Sequence, residues 1–194
     1  SAVTHRVLWI TPNVANLTSA SGFNISNNFI GGNTAAGTGT YTLSGATTYL
    51  FNVMDISVGL GTPTSIQGNT ITNFNVTSNG GSAINFLGIN MVNGNVNCGN
   101  LAGNLIGSRT TNGAITYTSN GVNGGASGIR TGGGTGNTFN IANNIISGFD
   151  LYGNATTNTA EFFGINIFLG TNVNAINNMI GETLLPSSIQ ILSS

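Results

Sequence analysis

Lysine is absent from this chain of 194 residues, and charged side chains make up only 4% of it, against about 25% in an ordinary globular domain. The cations are Arg6, Arg109 and Arg130, the anions Asp55, Asp150, Glu161 and Glu182, and the net charge is −1. With no basic stripe there is nothing to neutralise a phosphate backbone, so no nucleic-acid partner is expected. Attraction to an anionic lipid surface fails on the same count. Cysteine occurs once, at Cys98, which rules out an intrachain disulfide and a cysteine-rich metal site. Its reading is a small apolar residue in a packed coil. No apolar run reaches the 18 residues of a transmembrane helix, so membrane insertion is not expected. The first residues lack the charged-then-apolar order of a signal peptide, and the chain reads as mature or excised. The single histidine, His5, has no carboxylate near it in sequence and is a poor catalytic base. No His/Cys/Asp set has metal-ligand spacing, so neither metal nor other cofactor is expected.

Glycine, asparagine, serine and threonine fill the space the charges leave. Low charge alone would permit disorder, but 39% of residues are hydrophobic. Ile, Val and Phe are spread along the whole length, enough to bury a core. The length suits one domain.

Five segments repeat one pattern: residues 23–30 (FNISNNFI), 64–71 (TSIQGNTI), 99–106 (GNLAGNLI), 139–146 (FNIANNII) and 173–180 (VNAINNMI). In register, one column is always asparagine: Asn28, Asn69, Asn104, Asn144 and Asn178. Two places later stands isoleucine every time: Ile30, Ile71, Ile106, Ile146 and Ile180. Three places before the asparagine the column is apolar (Ile25, Ile66, Leu101, Ile141, Ala175), and the one preceding that is polar (Asn24, Ser65, Asn100, Asn140, Asn174). Period-two alternation in the same phase five times marks half-buried strands, whereas a helix would need apolar spacing of three to four.

The asparagines are 41, 35, 40 and 34 residues apart, so insertions belong to loops. A second strand-like element precedes the last four of them, at 55–57, 88–90, 128–130 and 164–166, aligned on Ile56, Ile89, Ile129 and Ile165. A third follows the asparagines, at 41–43, 74–76, 115–117, 149–152 and 189–192.

Three strands per repeat, joined by Gly/Asn/Thr turns, predict an all-β fold: a right-handed parallel β-helix solenoid of about five coils with three strands per coil. Residues 1–194 would form a single β-helix domain. The isoleucines would stack as one internal file about 4.8 Å apart. The asparagines would sit at a sharp bend, where this residue tolerates left-handed angles and its amide reaches the asparagine of the next coil. Propeller blades need four strands and Gly-His and Trp-Asp signatures that are missing, and leucine-rich repeats are shorter. The glycine-rich stretches at 31–33, 121–125 and 132–134 are read as loops.

With these Asn-Asn-x-Ile and Gly-Ile-x elements over residues 22–194, the chain resembles the right-handed parallel β-helix superfamily that includes pectate lyases. In its Gly/Asn/Thr-rich, lysine-free style it is most similar to the repeat regions of secreted bacterial surface adhesins, including those exported by the type IX route. The resemblance implies a secreted or cell-surface location and a structural, adhesive role; its motifs are structural and specify no activity. Open ends of such a stack expose strand edges and apolar files that natural β-helices cover. Neither end carries an amphipathic helix, so the chain is expected to be a fragment of a larger repeat protein, its ends covered by further repeats or other chains.

A structural and adhesive segment needs no catalytic residue. Its exposed Asn, Thr and aromatic side chains would contact glycans or other cell-surface or secretion-system components. The alternative, a polysaccharide lyase or hydrolase, needs clustered carboxylates with an arginine partner. Arg109, Asp150 and Glu182 fall five, six and four residues after three successive asparagines and are the best such constellation, weak as catalytic candidates. The competing reading makes them solvated charges that keep a neutral surface soluble. Asp55 and Arg130, outward on equivalent strands two coils apart, stand about 10 Å from each other and form no direct pair. Ice binding, the third reading, needs a regular threonine array, and Thr40/Thr42 and Thr116/Thr118 do not continue through the other coils.

Overall fold

A computed structural model describes residues 3–12, 20–45, 48–80, 84–122, 124–153, 160–169 and 172–193. Every regular element among them is a β-strand. The first coil holds β1 (Val3–Ile10), β2 (Asn24–Ser26), β3 (Phe29–Ile30) and β4 (Tyr41–Leu43), and the second β5 (Tyr49–Ser57), β6 (Thr64–Gln67), β7 (Thr70–Ile71) and β8 (Phe74–Gly80). The third holds β9 (Phe86–Asn93), β10 (Asn95–Cys98), β11 (Leu105–Gly107) and β12 (Ile115–Val122), and the fourth β13 (Gly124–Thr131), β14 (Thr138–Ala142), β15 (Ile145–Ser147) and β16 (Phe149–Gly153). The fifth is β17 (Ala160–Ile167), β18 (Asn172–Ile176), β19 (Met179–Ile180) and β20 (Ile189–Ser193). Equivalent strands pair in parallel into four five-stranded sheets. Sheet A is β1-β5-β9-β13-β17, sheet B runs β2 to β18, sheet C β3 to β19 and sheet D β4 to β20. The fold is a parallel β-solenoid of five coils.

Each coil has four strands where three were expected, because the repeated segment is two strands and not one. Between sheets B and C the chain turns through left-handed backbone at Asn27 (φ 58°), Gly68 (φ 61°), Asn143 (φ 58°) and Asn177 (φ 54°), a conformation that a strand cannot continue through. The stacked asparagines do not take the left-handed position expected of them; in four coils the residue just before takes it.

What the stacked asparagines supply is a side-chain ladder. The Oδ1 of Asn104 accepts the backbone N–H and the Nδ2–H of Asn69, at 3.0 and 2.9 Å. Its Nδ2 donates to Asn144 Oδ1 at 2.8 Å and to the Ile66 carbonyl at 3.0 Å. The same bonds recur from Asn28 to Asn69 and from Asn144 to Asn178, so an amide in a dry interior is fully partnered. Beside it runs the isoleucine file, Ile30, Ile71, Ile106, Ile146 and Ile180 in register. The middle three are fully buried, and Ile180, in the fifth coil, is 52% exposed.

Two columns of the third coil differ from the sequence alignment. Cys98, not Leu101, lies between Ile66 and Ile141, and Asn97, not Asn100, pairs with Ser65 and Asn140. Residues 99–103 bulge outward, leaving Leu101 83% exposed. Gln67 holds the bulge: its Oε1 accepts the Leu101 and Ala102 N–H groups and its Nε2 donates to the Asn97 carbonyl. In sheet A, Met54 and not Ile56 shares the column of Ile89, Ile129 and Ile165. Gly121, Gly124 and Gly125 lie in strands and not in a loop; Asn123 is outside the described residues.

Sheet A also bends. Val53 and Met54 are consecutive and both wholly buried. The ladder register passes over Val53, Gly88, Gly128 and Gly164 in successive coils. Two neighbouring side chains facing inward mean that the pleat is interrupted there. The interior is completed by an aromatic row, Phe51, Phe86, Phe149 and Phe162 with Phe74 beside it, at centroid spacings of 5.0 to 6.2 Å.

Candidate functional site

The bend in sheet A creases its outer surface along the stack. One outward column is Arg6, Asn52, Leu87, Ser127 and Phe163; the other is Trp9, Asp55, Asn90, Arg130 and Asn166. Between them lie the two inward positions, so flanking side chains converge. Although they face outward, Asn52, Asp55 and Asn90 are all buried. At the first three coils the crease holds a depression of about 370 Å³ lined by Arg6, Trp9, Asn52, Asp55 and Asn90 among others.

The charges of this face are ordered. Arg6 Nε donates to Asp55 Oδ2 at 2.5 Å, and Asn90 Nδ2 donates to Asp55 Oδ1 at 2.8 Å. Both carboxylate oxygens are thereby engaged. The Arg6 guanidinium carbon stands 4.7 Å from the centroid of the Trp9 ring, and Arg130 repeats the arrangement 4.5 Å over Phe168, within cation–π range in both cases. Trp9 and Phe168 are each 59% exposed. They lie four coil spacings apart, about 20 Å. The Arg130 Nε is buried without a hydrogen-bond partner. Burial lowers its guanidinium pKa, with Asp55 opposing the shift.

The three residues singled out for catalysis separate. Arg109 and Glu182 meet across 73 residues, Arg109 Nε donating to Glu182 Oε2 at 2.6 Å. Glu182 Oε1 also accepts the Thr183 hydroxyl and the Leu184 N–H. The bond from Arg109 holds the Glu182 carboxyl below the usual range, with burial working against it. A second depression, of about 430 Å³, surrounds this pair together with Thr110, Leu184 and Leu185. Asp150 is not in the pair. It lies on the outer side of sheet D between Thr116 and Gln190, its Oδ1 buried and without a partner, and burial pushes its carboxyl up.

The other titratable groups are scattered. His5 shares the inward column of Phe51 and Phe86, its ring edge-on to Tyr49 at 5.2 Å, and Glu161 is exposed on β17. Among the described residues, no three His, Cys, Asp or Glu side chains come together as a metal site would need. On sheet D, Thr42 and Thr116 share a column, but Asn75 stands between them and Asp150 follows.

In the sequence Arg6 stood out only as a cation, and nothing there singled out Trp9 or Phe168. The one available signal was the outward position of Asp55 and Arg130 on equivalent strands. No family model, no curated protein and no solved structure matches this chain.

Proposed function

We propose that the chain is a structural and adhesive β-solenoid segment of a secreted or cell-surface bacterial protein, and that the outer face of sheet A is where it contacts glycans. The observation that carries this reading is the pair of arginine-backed aromatic rings, Arg6 with Trp9 and Arg130 with Phe168, at the two ends of a recessed polar row of Asn52, Asp55 and Asn90. A sugar ring has an apolar C–H face and a rim of hydroxyls. Exposed aromatic rings suit the first, and fixed planar amide, carboxylate and guanidinium groups suit the second. Strands of a stacked coil hold such groups at a regular spacing without needing a loop to close, which favours an extended ligand lying along the stack. The repeat style supports the likeness to pectate-lyase-like β-helices and to adhesins of the type IX kind.

Trp9 is the sole tryptophan, so its fluorescence reads the site directly. Titration with oligosaccharides long enough to span about 20 Å should give a saturable change in Trp9 emission, and Phe168→Ala should weaken binding in calorimetry. No saturable change with neutral, uronate or sulfated oligosaccharides would overturn the reading. A polysaccharide-active enzyme is the second reading. Asp150 favours it, a carboxyl with a raised pKa and an unpartnered oxygen; Asp150→Asn abolishing a measurable cleavage would establish it.

A further inference from the structure

Of the three arginines, two are answered by an acid: Arg6 by Asp55 and Arg109 by Glu182. Arg130 is not. Its Nε is buried without an acceptor, and its guanidinium rests on the Phe168 ring. The acid nearest to it in its own column, Asp55, is two coils away, about 10 Å, with both oxygens taken by Arg6 and Asn90. A desolvated guanidinium N–H without an acceptor is unfavourable, and such groups in folded proteins normally have a partner.

We propose that Arg130 is the recognition residue for an oxyanion carried by the ligand of this face, a carboxylate or a sulfate ester on a sugar ring that stacks against Phe168. The inference rests on the sugar-binding reading of sheet A and adds the ligand's charge and where along the stack that charge lies. The planar guanidinium presents its donors as a fork that matches two oxygens of one anion. Phe168 fixes the plane of the fork, and Asn90 and Asn166 flank it in the neighbouring coils. The two ends of the face differ in their neutralisation. At the Trp9 end Asp55 already satisfies the arginine, so that end accepts an uncharged unit. At the Phe168 end no acid of the chain pairs with the arginine, and the ligand's oxyanion meets the half-buried guanidinium at its outer edge, the Nε being covered.

The test is calorimetry and Trp9 fluorescence with an oligouronate, a sulfated oligosaccharide and an uncharged oligosaccharide of equal length, with inorganic sulfate as a control. At low salt at least one charged oligosaccharide should bind about tenfold tighter than the uncharged one, and the advantage should shrink as salt screens it. Whichever of the two keeps the preference identifies the source of the oxyanion. Arg130→Gln should abolish the preference, so that the variant binds the charged and the uncharged oligosaccharide alike, and Arg130→Lys should keep part of it. Undiminished charged binding by Arg130→Gln overturns the proposal. So does an uncharged oligosaccharide that binds as tightly as the charged ones, an outcome that leaves the sugar-binding reading standing. So does free sulfate binding that no oligosaccharide improves on. If none of the three oligosaccharides binds, the sugar-binding reading falls and this inference falls with it.

Discussion

Gly128 in sheet A faces Ile146 in sheet C across the interior: a Cβ on Gly128 would lie 2.7 Å from Ile146 Cγ2 and 2.9 Å from Cδ1. The isoleucine file therefore fills the space that the Gly-Ile elements of sheet A leave empty. Gly164 meets Ile180 in the same way. The glycines of these elements are a packing requirement between facing sheets, and Gly128 needs no positive φ.

Gly128→Ala should overpack this contact and destabilise by about 1–3 kcal/mol, and Ile146→Ala should cost about 2–5 kcal/mol by leaving a cavity. Because the two residues touch, the double variant should lose less than the sum of the singles by more than about 0.5 kcal/mol in urea unfolding. Relief is partial, since the added methyl still approaches the Gly164 carbonyl at 2.8 Å. Strict additivity would mean that the two sheets do not meet there.

Asn104→Ala should be far more damaging than Asn28→Ala. Asn104 is buried and has four ladder bonds to Asn69, Asn144 and Ile66. Truncating it orphans donors and acceptors in a dry interior, at a cost above about 2 kcal/mol. The Asn28 side chain is exposed and donates to Asn69 Oδ1, so its loss should cost under about 1 kcal/mol. Equal losses in chemical denaturation would remove the ladder from the account of stability.

The Cys98 thiol is pushed up to about 12 by burial, with the hydrogen bond from Asn104 pulling the other way. The thiolate is the reactive species, so the folded protein at mildly alkaline pH should not react with thiol reagents, and reaction should begin with unfolding. Rapid stoichiometric labelling of the native chain would place this residue outside the core.

Glu182 and Asp150 should shift stability in opposite directions with pH. The folded pKa of Glu182 is depressed by Arg109. Its contribution is therefore complete above the ordinary glutamate value near 4.3 and is lost as the pH falls through the folded value. Glu182→Gln should lower Tm at neutral pH and flatten this acid limb. The folded pKa of Asp150 is raised by burial. Its neutral form is the favoured one, present below the ordinary aspartate value near 3.9 and lost as the pH rises through the folded value. Asp150→Asn should raise Tm at pH 7 and leave it unchanged in acid. Melting curves of both variants across pH 3 to 8 check the signs.

The Arg109–Glu182 pair was within reach of sequence reasoning, because offsets from the asparagines place both just after sheet C in their own coils. Asp150 has an offset only one or two residues longer, which puts it on a strand of sheet D, away from the turn. The four-strand coil was hidden because each repeated segment was read as one strand, although its inward columns, such as Ile25 and Ile30, lie five residues apart, an odd spacing that the left-handed residue between them explains. In the third coil the repeat aligned without a gap, so nothing marked residues 99–103 as a bulge. That bulge depends on Gln67, a side chain from the coil before.

The amino-acid order by itself determined the solenoid, its number of coils, and the isoleucine and asparagine columns. Each inner coil packs on a like coil above and another below, and so repeats the same demand at the same register. Tertiary structure alone decided the face at sheet A. Arg6 and Trp9 come from β1, a strand of the first coil that the aligned elements do not include, and Phe168 lies just past a strand. They are brought into one row by stacking, and by a bend that turns two adjacent residues inward at once.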